Sequence, residues 1–330
     1  MSARVWVLSA GKPGDDAQAI LLADAVGWPT VVKRLGVDAL APPWPAVVIA
    51  SGRATATAAR RIAATAAGTV RVVQVGRPHG PLARLDLVVV PPQYVVPDHP
   101  RVVRLALPLQ RVSPAALAAA ATAWQPPPGA PLPRPWIGAL VGGSGRPYVL
   151  DAAAARDLGT RLSAAARAAG GSLRVTTSRR TGAAGAGALA AAITAPGVVH
   201  RWDGGAPTNP YLAFLGVADR LVVTADSPSM LADAVSTGKP VEIVALPRAR
   251  WGRLRDVPRR LAWSGPASRA LLPLVARLGI RPPRDLSRLH EALYARGLAA
   301  PFGAAAPARR RAEGPDELEA VAARVRALAG

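Results

Sequence analysis

The chain has 330 residues, half of them hydrophobic, with no cysteine and a formal net charge of +21. That length suits two domains better than one, and the missing cysteine excludes disulfides, thiolate metal sites and a cysteine nucleophile. Lys occurs only at positions 12, 33 and 239, so the positive charge is arginine, raised together with Ala, Gly and Pro as GC-rich coding would raise it. No RNA-binding aromatic motif or zinc-finger spacing accompanies it, so phosphates, nucleoside diphosphates or an anionic surface are the expected partners and nucleic acid is not.

The opening stretch MSARVWVLSAGKPG enters a strand without a signal-peptide apolar region, and Pro or Arg interrupts every run long enough to cross a bilayer. A cytoplasmic protein is expected, with a peripheral position at the inner face of the plasma membrane left open. Apolar runs then alternate with Ala-rich stretches, the pattern of parallel α/β layers. Strands are predicted at Val5–Ser9, Thr30–Arg34, Ala46–Ala50, Val70–Val75, Leu85–Val90 and Val102–Ala106, and helices at Asp16–Val26, Thr55–Ala67 and Pro114–Trp124. Several strands are apolar on both faces, as strands covered by helices on each side must be.

The stretch QPPPGAPLPRP, Gln125 to Pro135, cannot continue a helix or a central strand. It reads as a linker between an N-terminal domain, 1–124, and a C-terminal domain, 136–330. After it the pattern restarts: strand Trp136–Val141, helix Asp151–Ala169, strand Leu173–Thr177, helix Ala183–Ile193, strands Val198–Trp202 and Leu221–Thr224, helix Pro228–Thr237 and strand Val241–Leu246. Pro247–Pro283 breaks the rhythm with RARWGRLRDVPRRLAW. That segment reads either as an Arg-rich loop or as an Arg/Trp surface for an anionic interface. A final helix, Pro315–Ala329, opens acidic and carries Arg324 and Arg326 near its end, as the helix dipole favours. The architecture expected is α/β, with two Rossmann-like parallel-sheet domains facing across a cleft.

In open α/β sheets ligands bind beyond the carboxyl ends of the strands, and four loops fall there. SAGKPGDDAQ offers Gly11 and Gly14 for a close backbone approach. Asp15 or Asp16 would cap the helix, or one would act as a general base. VGGSGRPY places Gly143 and Ser144 where amides can hold an anion, or where an ordinary glycine turn suffices. TTSRRTG carries Arg179 and Arg180, suited to a diphosphate or to solvent. In TADSPSMLAD, Ser227 reads as N-cap and Pro228 as the first helical residue. The amides of Ser229 and Met230 then face a phosphate, and Asp233 further along the helix faces ribose hydroxyls. A plain capped helix with a solvent-facing Asp233 is the alternative.

SAGKPGDDAQAILLADAVG, IASGRATATAARR, VQVGRP, LVGGSGRPY, TTSRRT, NPYLAFLGVADRLVVTADSPSMLADAVSTGKPV and RLHEALYARGLAAPF, in that order, resemble segments of the bacterial relatives of the plant elongated-mitochondria (mitochondrial fission, ELM-type) protein, described as GT-B glycosyltransferases. The resemblance covers most of the chain. It implies a GT-B-like pair of domains, with a nucleotide sugar bound mainly by the second and no cofactor or metal. The last helix would pack back on the N-terminal domain, and the acceptor would be unidentified, lipid-linked or part of the cell envelope. The Asp233 helix also resembles the donor helix of the lipid-linked GlcNAc transferase of peptidoglycan synthesis, where a Glu contacts ribose; Asp is one methylene shorter. By the same likeness the first loop faces the acceptor. This makes Asp15 and Asp16 the catalytic candidates and Gly11, Lys12, Gly14, Gln18, Ser51 and Arg53 the acceptor-side residues. A non-catalytic membrane adaptor and a nucleotide-sugar epimerase are the alternative functions.

Overall fold

A computed structural model of the chain describes residues 4–109, 112–127, 132–204, 209–249, 284–305 and 317–330. The chain forms two compact units, each built on one six-stranded, wholly parallel sheet.

The first sheet contains β1 (Val5–Ser9), β2 (Thr30–Arg34), β3 (Val47–Ser51), β4 (Arg71–Val75), β5 (Leu87–Val90) and β6 (Val102–Arg104), in the order β2-β1-β3-β4-β5-β6. Strands β1 and β3 are buried along their whole length, so alternate side chains feed two separate cores. Val5, Val7, Val47 and Ile49 pack under α1 (Pro13–Val26), while Trp6, Leu8, Val48 and Ala50 pack under α2 (Arg53–Thr65). The α1 layer is completed from the far end of the chain by α9 (Glu317–Ala329), whose Val321, Ala322 and Val325 are buried in the same cluster. Arg326 donates to the Ala25 and Val26 carbonyls, so the late helix closes the last turn of α1.

The second sheet has the order β12-β11-β10-β7-β8-β9: β7 (Trp136–Val141), β8 (Ser172–Thr177), β9 (Gly197–His200), β10 (Arg220–Thr224), β11 (Val241–Val244) and β12 (Ala300–Pro301). Its helices are α3 (Pro114–Ala123), α4 (Ala152–Ala168), α5 (Gly182–Ala192), α6 (Tyr211–Val217), α7 (Pro228–Ser236) and α8 (Leu286–Ala295). Helix α3 belongs to this unit, not to the first. The division therefore precedes the proline-rich stretch 125–135 expected to mark it. Packing explains the shift. Trp124, which ends α3, stacks edge-on against Trp136 of β7 and Phe214 of α6, and Leu117 meets α6 so closely that only glycine fits at Gly216. Between the two tryptophans lies Arg174 of β8, with no accessible surface. Its guanidinium sits 5.2 Å from the Trp124 ring centroid and 4.5 Å from that of Trp136.

Most expected elements stand within a few residues of their sequence-based limits. Helix α1 begins earlier, at Pro13, because proline's fixed φ and missing N–H suit a first helical position. Helices α6 and α8 and strand β12 were not anticipated. The segment 247–283, apart from its first three residues, lies outside the described residues. Among the described residues no helix is long and apolar enough to cross a membrane.

Candidate functional site

Strand order reverses between β1 and β3 in the first sheet and between β7 and β10 in the second. Connections leave such a switch point in opposite directions and open a crevice at the strands' carboxyl ends. In the second unit the loops after β7 and β10 meet there, joined by the one-turn helix Arg179–Thr181 that follows β8.

The meeting is held by side chains at the ends of β8 and β10 that bond backbone groups of the loop after β7. Thr224 Oγ1 accepts from Gly142 N at 2.8 Å, and Asp226 Oδ2 accepts from Gly143 N at 2.9 Å. The Gly142 carbonyl accepts from Ser178 Oγ at 2.5 Å and also from Thr181 Oγ1. Ser144 N donates to the Arg180 carbonyl and Gly145 N to that of Tyr148. The amides of this glycine loop are thus engaged within the protein, so they do not form the open anion nest expected at Gly143 and Ser144. What the glycines supply is closeness: a Cβ at Gly143 would lie 2.2 Å from the Arg180 backbone.

Arg180 and Asp226 form the centre of this arrangement. Arg180 Nη1 lies 2.6 Å from Asp226 Oδ2; the carboxylate side chain has no accessible surface, and the guanidinium-bearing side chain is 38% exposed. Asp226 directly precedes Ser227, the N-cap of α7, so the arginine stands at the mouth of that helix. Ser227 and Pro228 occupy the expected positions, N-cap and first helical residue, but Ser227 is buried and its side chain caps no amide. That leaves the amides of Ser229 and Met230 without a cap from Ser227. Ser229 is exposed, and Asp233, four residues on, lies on the same face of α7. Arg179 is exposed and forms no ion pair among the described residues.

Asp233 is held in place. Tyr211, the first residue of α6, donates its hydroxyl to Asp233 Oδ2 at 2.8 Å. Burial, followed by the charge and hydrogen bond of Asp233, pushes the Tyr211 hydroxyl well above its ordinary pKa of 10.0, so it stays a donor. Sequence reasoning missed Tyr211, Asp226 and His290. The last, buried on α8, gives Nε2–H to the Ala225 carbonyl at 2.9 Å and lies against Tyr148. The motif RLHEALYARG held the only signal for it.

In the first unit the switch point brings Asp15 to the start of α2. A Cβ on Gly52, the N-cap of α2 at φ +91°, would sit 3.1 Å from Asp15 Oδ2. Burial raises the Asp15 carboxyl above its ordinary pKa; Lys12 lowers it, Asp16 raises it and Arg284 lowers it, each less than burial. Asp15 and Asp16 do not cap α1 as expected. Lys12 is the N-cap and makes no side-chain cap bond, while both acids sit in the first turn, where the helix dipole favours them. Asp16 Oδ2 instead accepts from Ser9 Oγ at 2.6 Å, and Gly11 N donates to the same hydroxyl. Gly11, Lys12 and Gly14 are exposed along this loop, with Gln18 one turn beyond Gly14. Ser51 is buried and its carbonyl accepts from Thr55 Oγ1, and Arg53 is exposed beside Gly52. Among the described residues no cluster of three or more His, Cys, Asp or Glu could hold a metal ion.

A family model described as "Mitochondrial fission ELM1" matches residues 13–271. The curated Arabidopsis thaliana protein "Mitochondrial fission protein ELM1" is 32% identical over 229 residues, covering 63% of this chain and 53% of the plant protein. The chain spans about half the length of that relative. Among solved structures, MurG of Acinetobacter baumannii is 14% identical at a TM-score of 0.46, covering 99% of this chain and 100% of that one. A glycosyltransferase of Rickettsia africae is 10% identical at 0.44, covering 88% and 97%. The UDP-GlcNAc 2-epimerase of Neisseria meningitidis is 10% identical at 0.45, covering 88% and 98%.

Proposed function

The chain belongs to the mitochondrial fission ELM1 family, and we propose that it transfers a glycosyl unit from a nucleoside diphosphate sugar to an acceptor hydroxyl. One observation carries this reading: Arg180, anchored on Asp226, stands at the start of α7, where Ser227 makes no side-chain cap bond, and half-buried Asp233 lies one turn after exposed Ser229 on the same face. A helix mouth and a guanidinium together suit a diphosphate, and a carboxylate one turn along suits a ribose diol.

In the reaction the acceptor oxygen attacks the anomeric carbon, and the bond from that carbon to the diphosphate breaks with its electron pair. The α7 amides and Arg180 stabilise the charge that gathers on the leaving diphosphate. Asp233, fixed by Tyr211, orients the nucleoside. In the first unit Asp15 takes the acceptor's proton, its carboxyl raised by burial and therefore more basic than an exposed aspartate. Asp16, tied to Ser9, supports that loop. The scheme draws on no metal or cofactor. An acceptor at an anionic membrane surface would suit a chain of net charge +21.

A thermal-shift screen against UDP, GDP, ADP, CMP and dTDP, followed by a transfer assay with the matching nucleotide sugars, tests the reading. One nucleoside diphosphate should raise the melting temperature, and Asp233→Ala should weaken it by about tenfold or more, the loss of a charge-assisted hydrogen bond. Flat melting curves with all five would overturn the proposal. Turnover without any acceptor would mark an epimerase instead, and flotation on anionic vesicles with no nucleotide response would mark an adaptor.

A further inference from the structure

Asp226 has a place that neither capping nor packing explains. A carboxylate at a helix mouth repels the anion such a mouth attracts, and this one is sealed from water, with Oδ1 buried and unpartnered. Its Oδ2 accepts from Gly143 N and pairs with Arg180 Nη1. A guanidinium carries five N–H donors in a rigid fork. Here Nη1 is drawn to Asp226, while the Arg180 side chain as a whole keeps 38% of its surface exposed. The ion pair runs close past Gly145, where a Cβ would come within 2.8 Å of Nη1 and oblige the guanidinium to shift.

We infer that Asp226 is a positioning residue, a buried counter-charge that holds Arg180 with one edge in the protein and the other presented to an anion at the start of α7. The inference rests on the proposed reading for the ligand's class, a diphosphate, and deepens it by naming what aims the arginine. The consequence has a definite sign. Removing Arg180 from the native protein deletes donors and also uncovers the Asp226 charge to the incoming anion. With Asp226 already neutral, only the donors are lost.

Inorganic pyrophosphate, titrated calorimetrically against the full chain, is the probe. Arg180→Gln should weaken it by about tenfold or more in the native background but by no more than about threefold beside Asp226→Asn, whose oxygen still accepts from Gly143. Gly145→Ala alters no charge. It should weaken pyrophosphate by about threefold or more in the native protein and leave it unchanged in the Arg180→Gln/Asp226→Asn double variant. If Arg180→Gln alone does not fold, this glycine comparison carries the test. Equal factors in both backgrounds, for either substitution, overturn the inference, as does a native protein that binds no pyrophosphate. The two ideas fail separately: a coupled pyrophosphate site that gains nothing from an attached nucleoside retains Asp226's role and sinks the transferase reading. Tight nucleoside diphosphate binding with uncoupled factors does the reverse.

Discussion

Burial lifts the Asp15 carboxyl above 3.8, and this fixes the sign of its effect on stability. A raised folded-state pKa means that its contribution is present below the ordinary carboxylate range and is lost as pH rises through the raised value. Asp15→Asn should therefore melt higher than the native protein at neutral pH and no higher at about pH 3, below the ordinary range, in thermal scans at the two conditions. The same variant should abolish transfer while leaving donor binding intact, and native activity should rise with pH as Asp15 ionises. Arg174 shows the opposite case. Burial, reinforced by Arg134, brings its pKa down to about 10, and Nε and Nη2 find no partner. A buried charge with unsatisfied donors costs stability that a hydrophobic side chain of similar volume does not. Arg174→Met should thus hold or raise the melting temperature, whereas Arg174→Ala, which empties the slot between Trp124 and Trp136, should lose roughly 3 kcal/mol. Neither Arg174 nor Asp226 stood out in the sequence. One looks like another surface arginine and the other like a loop aspartate, and what distinguishes them is a partner far along the chain. Asp233 was legible from helical spacing, but its bond to Tyr211 was not.

Elements were legible in proportion to how far local pattern determines them. Strands β1, β3, β7 and β10 are buried almost throughout and carry apolar runs that announced them; β8 is equally buried, though Ser172, Arg174, Thr176 and Thr177 interrupt its pattern. Helix α6 has seven residues, too short for a periodic pattern, and β12 has two, existing only because β11 is there to pair with it. The start of α7 was readable from Ser227 and Pro228, but the closed state of the glycine loop was not, since its amides are taken by Thr224, Asp226 and the carbonyls of Arg180 and Tyr148. Ser229→Asp separates an anion site from a merely well-formed helix. At the second helical position a carboxylate gains about 0.3–1 kcal/mol from the dipole, so unfolding should occur slightly later, while nucleoside diphosphate affinity should fall by about tenfold through repulsion. Unchanged affinity in the calorimeter would show that phosphate does not rest on α7.

Across the whole molecule, the sequence conveyed two successive parallel α/β units, and the resemblance implied a last helix that packs back on the first, but the border between them was misplaced. The proline-rich stretch looked like a border because local composition was the only guide; the division falls before α3, whose partner is α6. Helix α9 crosses back to complete the first unit, burying Val321 and Val325 at 1% and 0% exposure. Each fully buried valine contributes about 1.5–3 kcal/mol, against a total of about 5–15 kcal/mol for a domain. Deleting residues 317–330 should therefore lower the melting of the first unit by about 10 °C or more, followed through Trp6, Trp28 and Trp44, all in that unit. The arrangement also sets an order of events during translation. Leu22, Val26 and their neighbours pack on β1 and β3, but the face that α9 covers can close only once residues 317–329 have been made. Until then that face of the first unit is where a chaperone would find an apolar surface to shelter.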